Sequence, residues 1–186
     1  MEGVHRDLPI LEDPNSYGYF REEGGGLLVG LFEPVAGAWY PEGAPYDFAF
    51  GTITPDYDRV LPFVDQASAR VPSLDGVGIR TFFCGPESFT HDIAPMLGPV
   101  PEADGMWVAA GLNSVGILTG GGVGSAMASW IVDRIPPVDL SHYSVERAEP
   151  FLNSLQFRKE RIVEQLGVLI GDGAYPSFQQ TSARNI

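Results

Sequence analysis

The segment from Gly105 to Gly124 narrows the choice of folds more than any other part of the chain. A short apolar run, Met106 to Ala110, leads through Gly111-Leu-Asn-Ser-Val-Gly116 into Gly120-Gly-Gly-Val-Gly124. Val123, Ala126, Met127, Trp130 and Ile131 then recur at helical spacing. The pattern predicts a buried strand, a glycine-rich turn and a helix. A helix N-terminus presents unpaired N–H groups and a partial positive charge, which suit an anionic or electron-rich ligand edge. Glycine lets such a ligand come close to the backbone. Tight helix–strand packing explains the same glycines, and both readings stay open. The run is not a first-strand dinucleotide fingerprint. Gly122-Val-Gly-Ser-Ala-Met127 lacks the last glycine of G-x-G-x-x-G, and no acidic residue ends a following strand.

Upstream, Leu8-Pro-Ile-Leu11 opens an extended segment and Asp13-Pro-Asn-Ser16 has turn chemistry. Tyr17 to Arg21 and Leu27 to Phe32, around Glu22-Glu-Gly-Gly-Gly26, predict a β-hairpin. Residues 33–46 read as loop, and Tyr46 to Ile53 as a strand. Thr54-Pro-Asp56 predicts a helix start with Thr54 as N-cap, and Val60, Phe63, Val64, Ala67 and Val71 continue it until Pro72. Gly78 to Cys84 reads as a strand. Pro136-Pro137 closes the glycine-containing unit. A last helix runs from about Phe157 to Ile170 and stops at Gly171 to Gly173. Arg158, Lys159 and Arg161 form the densest basic group, on a face of that helix. Adjacent hairpin strands imply antiparallel pairing within a mixed α and β fold.

The 186 residues carry a net charge of -13, which disfavours nucleic acid and anionic membrane surfaces as partners. The 23 glycines and 16 prolines imply many turns rather than long unbroken helices. Cys84 is the one cysteine, so no disulfide framework exists, and its apolar surroundings read as a buried small side chain. No stretch approaches the ~18 apolar residues of a membrane span, and no metal-ligand spacing is present. Glu87, Thr90, His91 and Asp92 crowd a turn, where they either serve a substrate or hold the turn by local hydrogen bonds. Tyr17 and Tyr19 alternate on one strand face, as aromatic packing or as a cavity wall.

The ordered series of these motifs resembles the flavoprotein domain of the dimethylglycine and sarcosine dehydrogenase family. It is carried by Leu8-Pro-Ile-Leu, Tyr19-Phe-Arg-Glu22, Gly26-Leu-Leu-Val-Gly30, Phe50, Thr54-Pro-Asp-Tyr-Asp-Arg59 and Arg70-Val-Pro72. It continues through Gly85-Pro-Glu-Ser-Phe-Thr90, Asp92, Gly98, Val108 to Ile117, Gly121-Gly-Val-Gly124 and Ala128-Ser-Trp-Ile131. Gln179-Gln-Thr-Ser-Ala-Arg-Asn185 resembles the family's linker into a following domain.

The resemblance implies an α/β, glutathione-reductase-like FAD-dependent oxidoreductase fragment: an antiparallel substrate-domain sheet plus the last Rossmann strand and helix. Residues 1–98 would be the substrate-binding sheet portion, 99–135 the strand–loop–helix that contacts FAD, and 136–186 the start of the following domain. Tyr19 would be the catalytic-site tyrosine that lines the substrate pocket. Gly111, Leu112, Asn113, Ser114, Gly116 and Ile117 would border the flavin ring. The implied reaction is oxidative demethylation of an N-methyl amino acid, with a small N-methyl amine as substrate and an external electron acceptor. The chain is expected to be an interior piece that does not work alone. Most of the FAD site, and any tetrahydrofolate domain, would lie outside it. The implied location is cytoplasmic, or the mitochondrial matrix in a eukaryote. The family has an arginine near Glu87 in its wider superfamily, and commonly proline where His91 stands, so the carboxylate-binding group is left open. A non-catalytic regulatory relative, like the pyruvate dehydrogenase phosphatase regulatory subunit, is the alternative.

Overall fold

The computed structural model describes residues 1–170, so the expected stop at Gly171 to Gly173 and the linker-like segment Gln179 to Asn185 lie outside the described residues. Strands β1 (Leu11–Asp13), β2 (Gly18–Glu23) and β3 (Gly26–Leu31) form an antiparallel sheet in that order. Gly24 and Gly25 take positive φ, 57° and 81°, and close the β2–β3 hairpin as its glycines predict. The register pairs Tyr19 with Gly30 and Phe20 with Val29. Phe20 is buried, and helix α1 (Tyr57–Arg70) lies against β3 and the short turn Pro14–Ser16, with Ala67 inside. An ion pair from Arg70 to Asp13, 3.1 Å, ties the end of α1 to the edge of β1.

These elements make one compact unit, Met1–Gly37 with Asp47–Gly85 and the described residues from Leu166 on; Ala38–Tyr46 with Pro86–Gln165 make another. In the second, β4 (Met96–Pro99) pairs antiparallel with β5 (Trp107–Ala110). Helix α2 (Gly116–Asp133) lies against β4. Gly98 (φ 123°) permits this contact: a Cβ there would stand 2.8 Å from the Trp130 ring. Trp130 in turn meets Trp107 edge to face, with centroids 5.7 Å apart. Leu97, Ala94, Met127 and Leu140 are buried around this contact. Helix α3 (Leu155–Ile170) begins in the second unit.

Several expectations are corrected. Tyr46 to Ile53 and Gly78 to Cys84 are not strands; they meet only at one bridge, where the Ile53 N–H donates to the Cys84 carbonyl at 2.8 Å. Gly51 lies under the Phe48 ring and Phe50 takes φ 54°, so the first segment bends before a ladder can grow. Asp56, not Thr54, caps α1, its carboxylate accepting from the Arg59 N–H at 3.2 Å. Thr54 precedes proline, which holds it extended. Strand β4 was not anticipated, because Pro95 and Gly98 disguise it. Cys84 is exposed rather than buried. Among the described residues no helix is long and apolar enough to cross a membrane.

Candidate functional site

The loop between β5 and α2 is built on three residues of positive φ: Gly111 at 68°, Asn113 at 49° and Ser114 at 67°. Asparagine tolerates this region because its short amide finds partners close by. Asn113 is 3% exposed and its amide makes three hydrogen bonds. Its Oδ1 accepts from the Thr90 N–H at 2.8 Å and from Thr90 Oγ1 at 3.2 Å, and its Nδ2 donates to the Gly111 carbonyl at 2.6 Å. Gly111 is required twice over: its φ disfavours a side chain, and a Cβ would stand 2.5 Å from Thr90 Cγ2. Ser114 Oγ donates to Glu87 Oε1 at 2.9 Å. Leu112 is half-buried beside Gly116.

Helix α2 starts at Gly116, directly after the 111–115 loop, and takes in the whole glycine run. Gly120, Gly121, Gly122 and Gly124 are therefore helical, and a Cβ at any of them would meet nothing within 4 Å. Gly116 does not take positive φ, and its Cβ would touch Leu112 at an ordinary 3.4 Å, so the chain itself does not require glycine there. No side chain caps the helix at Val115, and no acidic residue lies in its first turn. The first-turn N–H groups have no intrahelical acceptor. Beside them Ile117 is fully exposed (105%), with Leu118 and Val115 also exposed. An unneutralised positive helix end beside bare apolar side chains suits a flat, apolar ring with an electron-rich edge. The residues present thus fit an isoalloxazine ring.

The crowded turn 87–92 has a structural use. Asp92 accepts from Arg147 Nε at 2.8 Å, from Arg147 Nη2 at 3.2 Å and from the Ala94 N–H at 3.1 Å. Arg147 also donates to the carbonyls of Ser144 and Ala94. Burial alone would raise the Asp92 carboxyl; the Arg147 hydrogen bonds, the Ala94 N–H and His91 outweigh it and hold it below the usual range. Burial pushes the neighbouring His91 down, Asp92 opposing and Arg147 and Arg161 adding to the fall. His91 Nε2 lies 3.5 Å from Asp92 Oδ2, but the carboxylate is committed to Arg147. Among the described residues no three His, Cys, Asp or Glu side chains converge as a metal site.

Tyr19 lies in the other unit, half-buried on β2, its ring 5.8 Å from that of Phe32. It lies flat over its cross-strand partner: a Cβ at Gly30 would fall 2.0 Å from Tyr19 Cε1. Tyr17 does not share its strand face. It takes φ 52° at the end of the Pro14–Ser16 turn, ahead of β2. Cys84 is exposed, and desolvation raises its thiol, Glu33 adding and Arg59 opposing. Sequence reasoning missed the Thr90–Asn113 and Asp92–Arg147 links, which join residues 23 and 55 positions apart. The Tyr19–Gly30 contact was within reach, since the hairpin turn fixes which residue faces Tyr19.

A family model described as FAD dependent oxidoreductase matches residues 2–130. Sarcosine dehydrogenase, mitochondrial, of Mus musculus is 37% identical over 147 residues, 79% of this chain and 16% of its own length. 4-Methylaminobutanoate oxidase (formaldehyde-forming) of Paenarthrobacter nicotinovorans is 33% identical over 186 residues, 100% of this chain and 22% of its own. Dimethylglycine dehydrogenase, mitochondrial, of Homo sapiens is 34% identical over 191 aligned positions, 99% of this chain and 22% of its own. The chain thus spans between 16% and 22% of the length of these relatives.

Proposed function

Because the chain belongs to the family of FAD-dependent oxidoreductases, we propose that it forms part of the redox centre of an amine dehydrogenase or oxidase that demethylates an N-methyl amino acid. The compounds named in three relatives, sarcosine, dimethylglycine and 4-methylaminobutanoate, share an N-methyl amine and a carboxylate. The observation that carries the cofactor assignment is the uncapped, exposed start of α2 behind a loop locked by Asn113. FAD, when bound, supplies a ring that accepts two electrons. Gly111, Leu112, Asn113, Ser114, Gly116 and Ile117 would border that ring. The N–H groups of Gly116 to Leu118 would offset negative charge at its edge, and Ile117 would exclude water from its face.

In this reading a hydride leaves the substrate's N-methyl carbon. Water would then add to the iminium so formed, and cleavage of the C–N bond would release formaldehyde and the demethylated amine; tetrahydrofolate, where the full protein holds it, would take up the one-carbon unit instead. The two electrons go on to an external acceptor. Tyr19, held over Gly30, would orient the amine through its hydroxyl. This reading keeps a glutathione-reductase-like assignment in which 1–98 would carry the substrate sheet, 99–135 the flavin contact and 136–186 the start of the next domain, although Pro86–Gln165 belong to one compact unit.

Tyr19→Phe in the FAD-loaded protein tests this. Flavin content should stay unchanged while anaerobic flavin reduction by a substrate amine slows tenfold or more, for about 1.4 kcal/mol of lost orientation. Unchanged reduction would make Tyr19 a packing residue only.

A further inference from the structure

Around the start of α2 the backbone groups are sorted by type. The Leu112 carbonyl accepts from the Val115 N–H at 3.1 Å. The Val115 carbonyl accepts from the Thr119 N–H at 3.0 Å and from Thr119 Oγ1 at 2.8 Å. The Gly111 carbonyl accepts from Asn113 Nδ2 at 2.6 Å. Three carbonyls are thus turned onto the chain's own donors, while the first-turn N–H groups have no intrahelical acceptor. Of the three, the Gly111 carbonyl is held by a side chain and not by backbone.

That side chain is itself fixed. An N–H only donates and a carbonyl only accepts, so the Thr90 N–H must meet Asn113 Oδ1 and the Gly111 carbonyl must meet Nδ2. The amide therefore has one orientation. Thr90 holds it from both ends. Its N–H and Oγ1 donate to Asn113 Oδ1, and its Cγ2 fills the space where a Cβ at Gly111 would fall. Thr90, Gly111 and Asn113 all lie in one compact unit. Asn113 is buried and its amide is spent on Thr90 and Gly111, so it acts on a ligand through the backbone it holds.

Resting on the flavin reading above, we propose that Thr90 and Asn113 are positioning residues that raise the redox potential of the bound flavin by keeping the Gly111 carbonyl turned away from the ring. Reduction adds negative charge to the ring edge. N–H donors stabilise that charge, and a carbonyl oxygen facing it would repel it. Withdrawing the carbonyl favours the reduced ring over the oxidised one, which makes it a better acceptor of electrons from an amine. A role in holding the loop alone has a different consequence: loss of Asn113 would lower stability and leave the potential where it was.

The test uses the full, FAD-loaded protein and reads the flavin midpoint potential against a reference dye, with flavin titration and thermal unfolding alongside. Asn113→Gly keeps the positive φ, which glycine tolerates, and removes every hydrogen bond of the amide. It should weaken binding of reduced flavin about tenfold more than binding of oxidised flavin, a fall in potential of about 30 mV for a two-electron couple. Thr90→Val keeps the Thr90 N–H bond and loses only the hydroxyl. It should melt close to wild type and shift the potential in the same direction by less, and Thr90→Ser should match wild type. Asn113→Gly with a lowered melting temperature and an unchanged potential would overturn the proposal, leaving Asn113 a structural role. A rise in potential in Asn113→Gly or Thr90→Val would overturn it too. Should Asn113→Gly fail to fold, an unmoved potential in Thr90→Val decides against it. Wild-type protein that takes up no flavin would overturn the flavin reading itself, and this proposal with it.

Discussion

Two glycines in one loop separate what the chain needs for itself from what a ligand would need. Gly111 carries positive φ and has Thr90 Cγ2 where a Cβ would go, so the fold requires it. Gly116 has neither constraint. Gly111→Ala should therefore destabilise by about 1–2 kcal/mol from the backbone alone, with more from the clash. In a Thr90→Ser background only the clash should be relieved. Gly116→Val should leave the melting temperature within a few degrees of wild type yet weaken flavin binding, because the side chain would project where the ring is proposed to lie. Flavin titration and thermal unfolding of the three variants check this. A fall in stability at Gly116 equal to that at Gly111 would return the glycine to helix packing.

At the level of elements, the β2–β3 hairpin sets the Tyr19 ring by placing it on Gly30. Gly30→Ala should lift the ring without breaking the sheet. Amine-dependent flavin reduction should then slow about as much as in Tyr19→Phe, with FAD content preserved. Normal reduction rates in Gly30→Ala would show that the ring's seat is irrelevant to turnover. This hairpin was legible in the sequence, because Gly24-Gly25 and the flanking apolar runs fix turn and register together. Helix α1 was legible from its periodicity, though its cap was displaced by two residues to Asp56. Helix α2 was recognised from its apolar spacing, and it carries four glycines in its interior. Each costs about 1 kcal/mol relative to alanine in a helix interior. The false strand at 46–53 shows a different limit. Aromatic content marks a segment that would suit a sheet, but it does not supply the partner that a sheet requires. The loop residues 111–117 were singled out by family resemblance; the reason Asn113 belongs there emerges only from its bonds to Thr90 and Gly111.

On the scale of the whole molecule, acid should act through the Asp92–His91–Arg147 cluster. The His91 native pKa lies below its ordinary value of 6.5, burial being the first cause. The unfolded chain then takes up the proton first, so this contribution is complete above about pH 6.5 and is lost as pH falls through the native value. Asp92 is also depressed, so its contribution is present above about pH 4 and lost as pH falls through its own native value. Melting temperature should drop in two stages on acidification. His91→Gln should remove the upper stage and spare the lower; an unaltered profile in that variant would exclude His91 as the source.

In the proposed function this chain helps an FAD enzyme take electrons from an N-methyl amino acid. The most direct measurement is the anaerobic absorbance spectrum of the FAD-loaded full protein during titration with sarcosine, dimethylglycine and 4-methylaminobutanoate, with formaldehyde assayed in parallel. At least one of them should bleach the oxidised flavin band, with about one formaldehyde per flavin reduced when no folate is present. Flavin that binds tightly and stays oxidised with all three, with no formaldehyde formed, would contradict it.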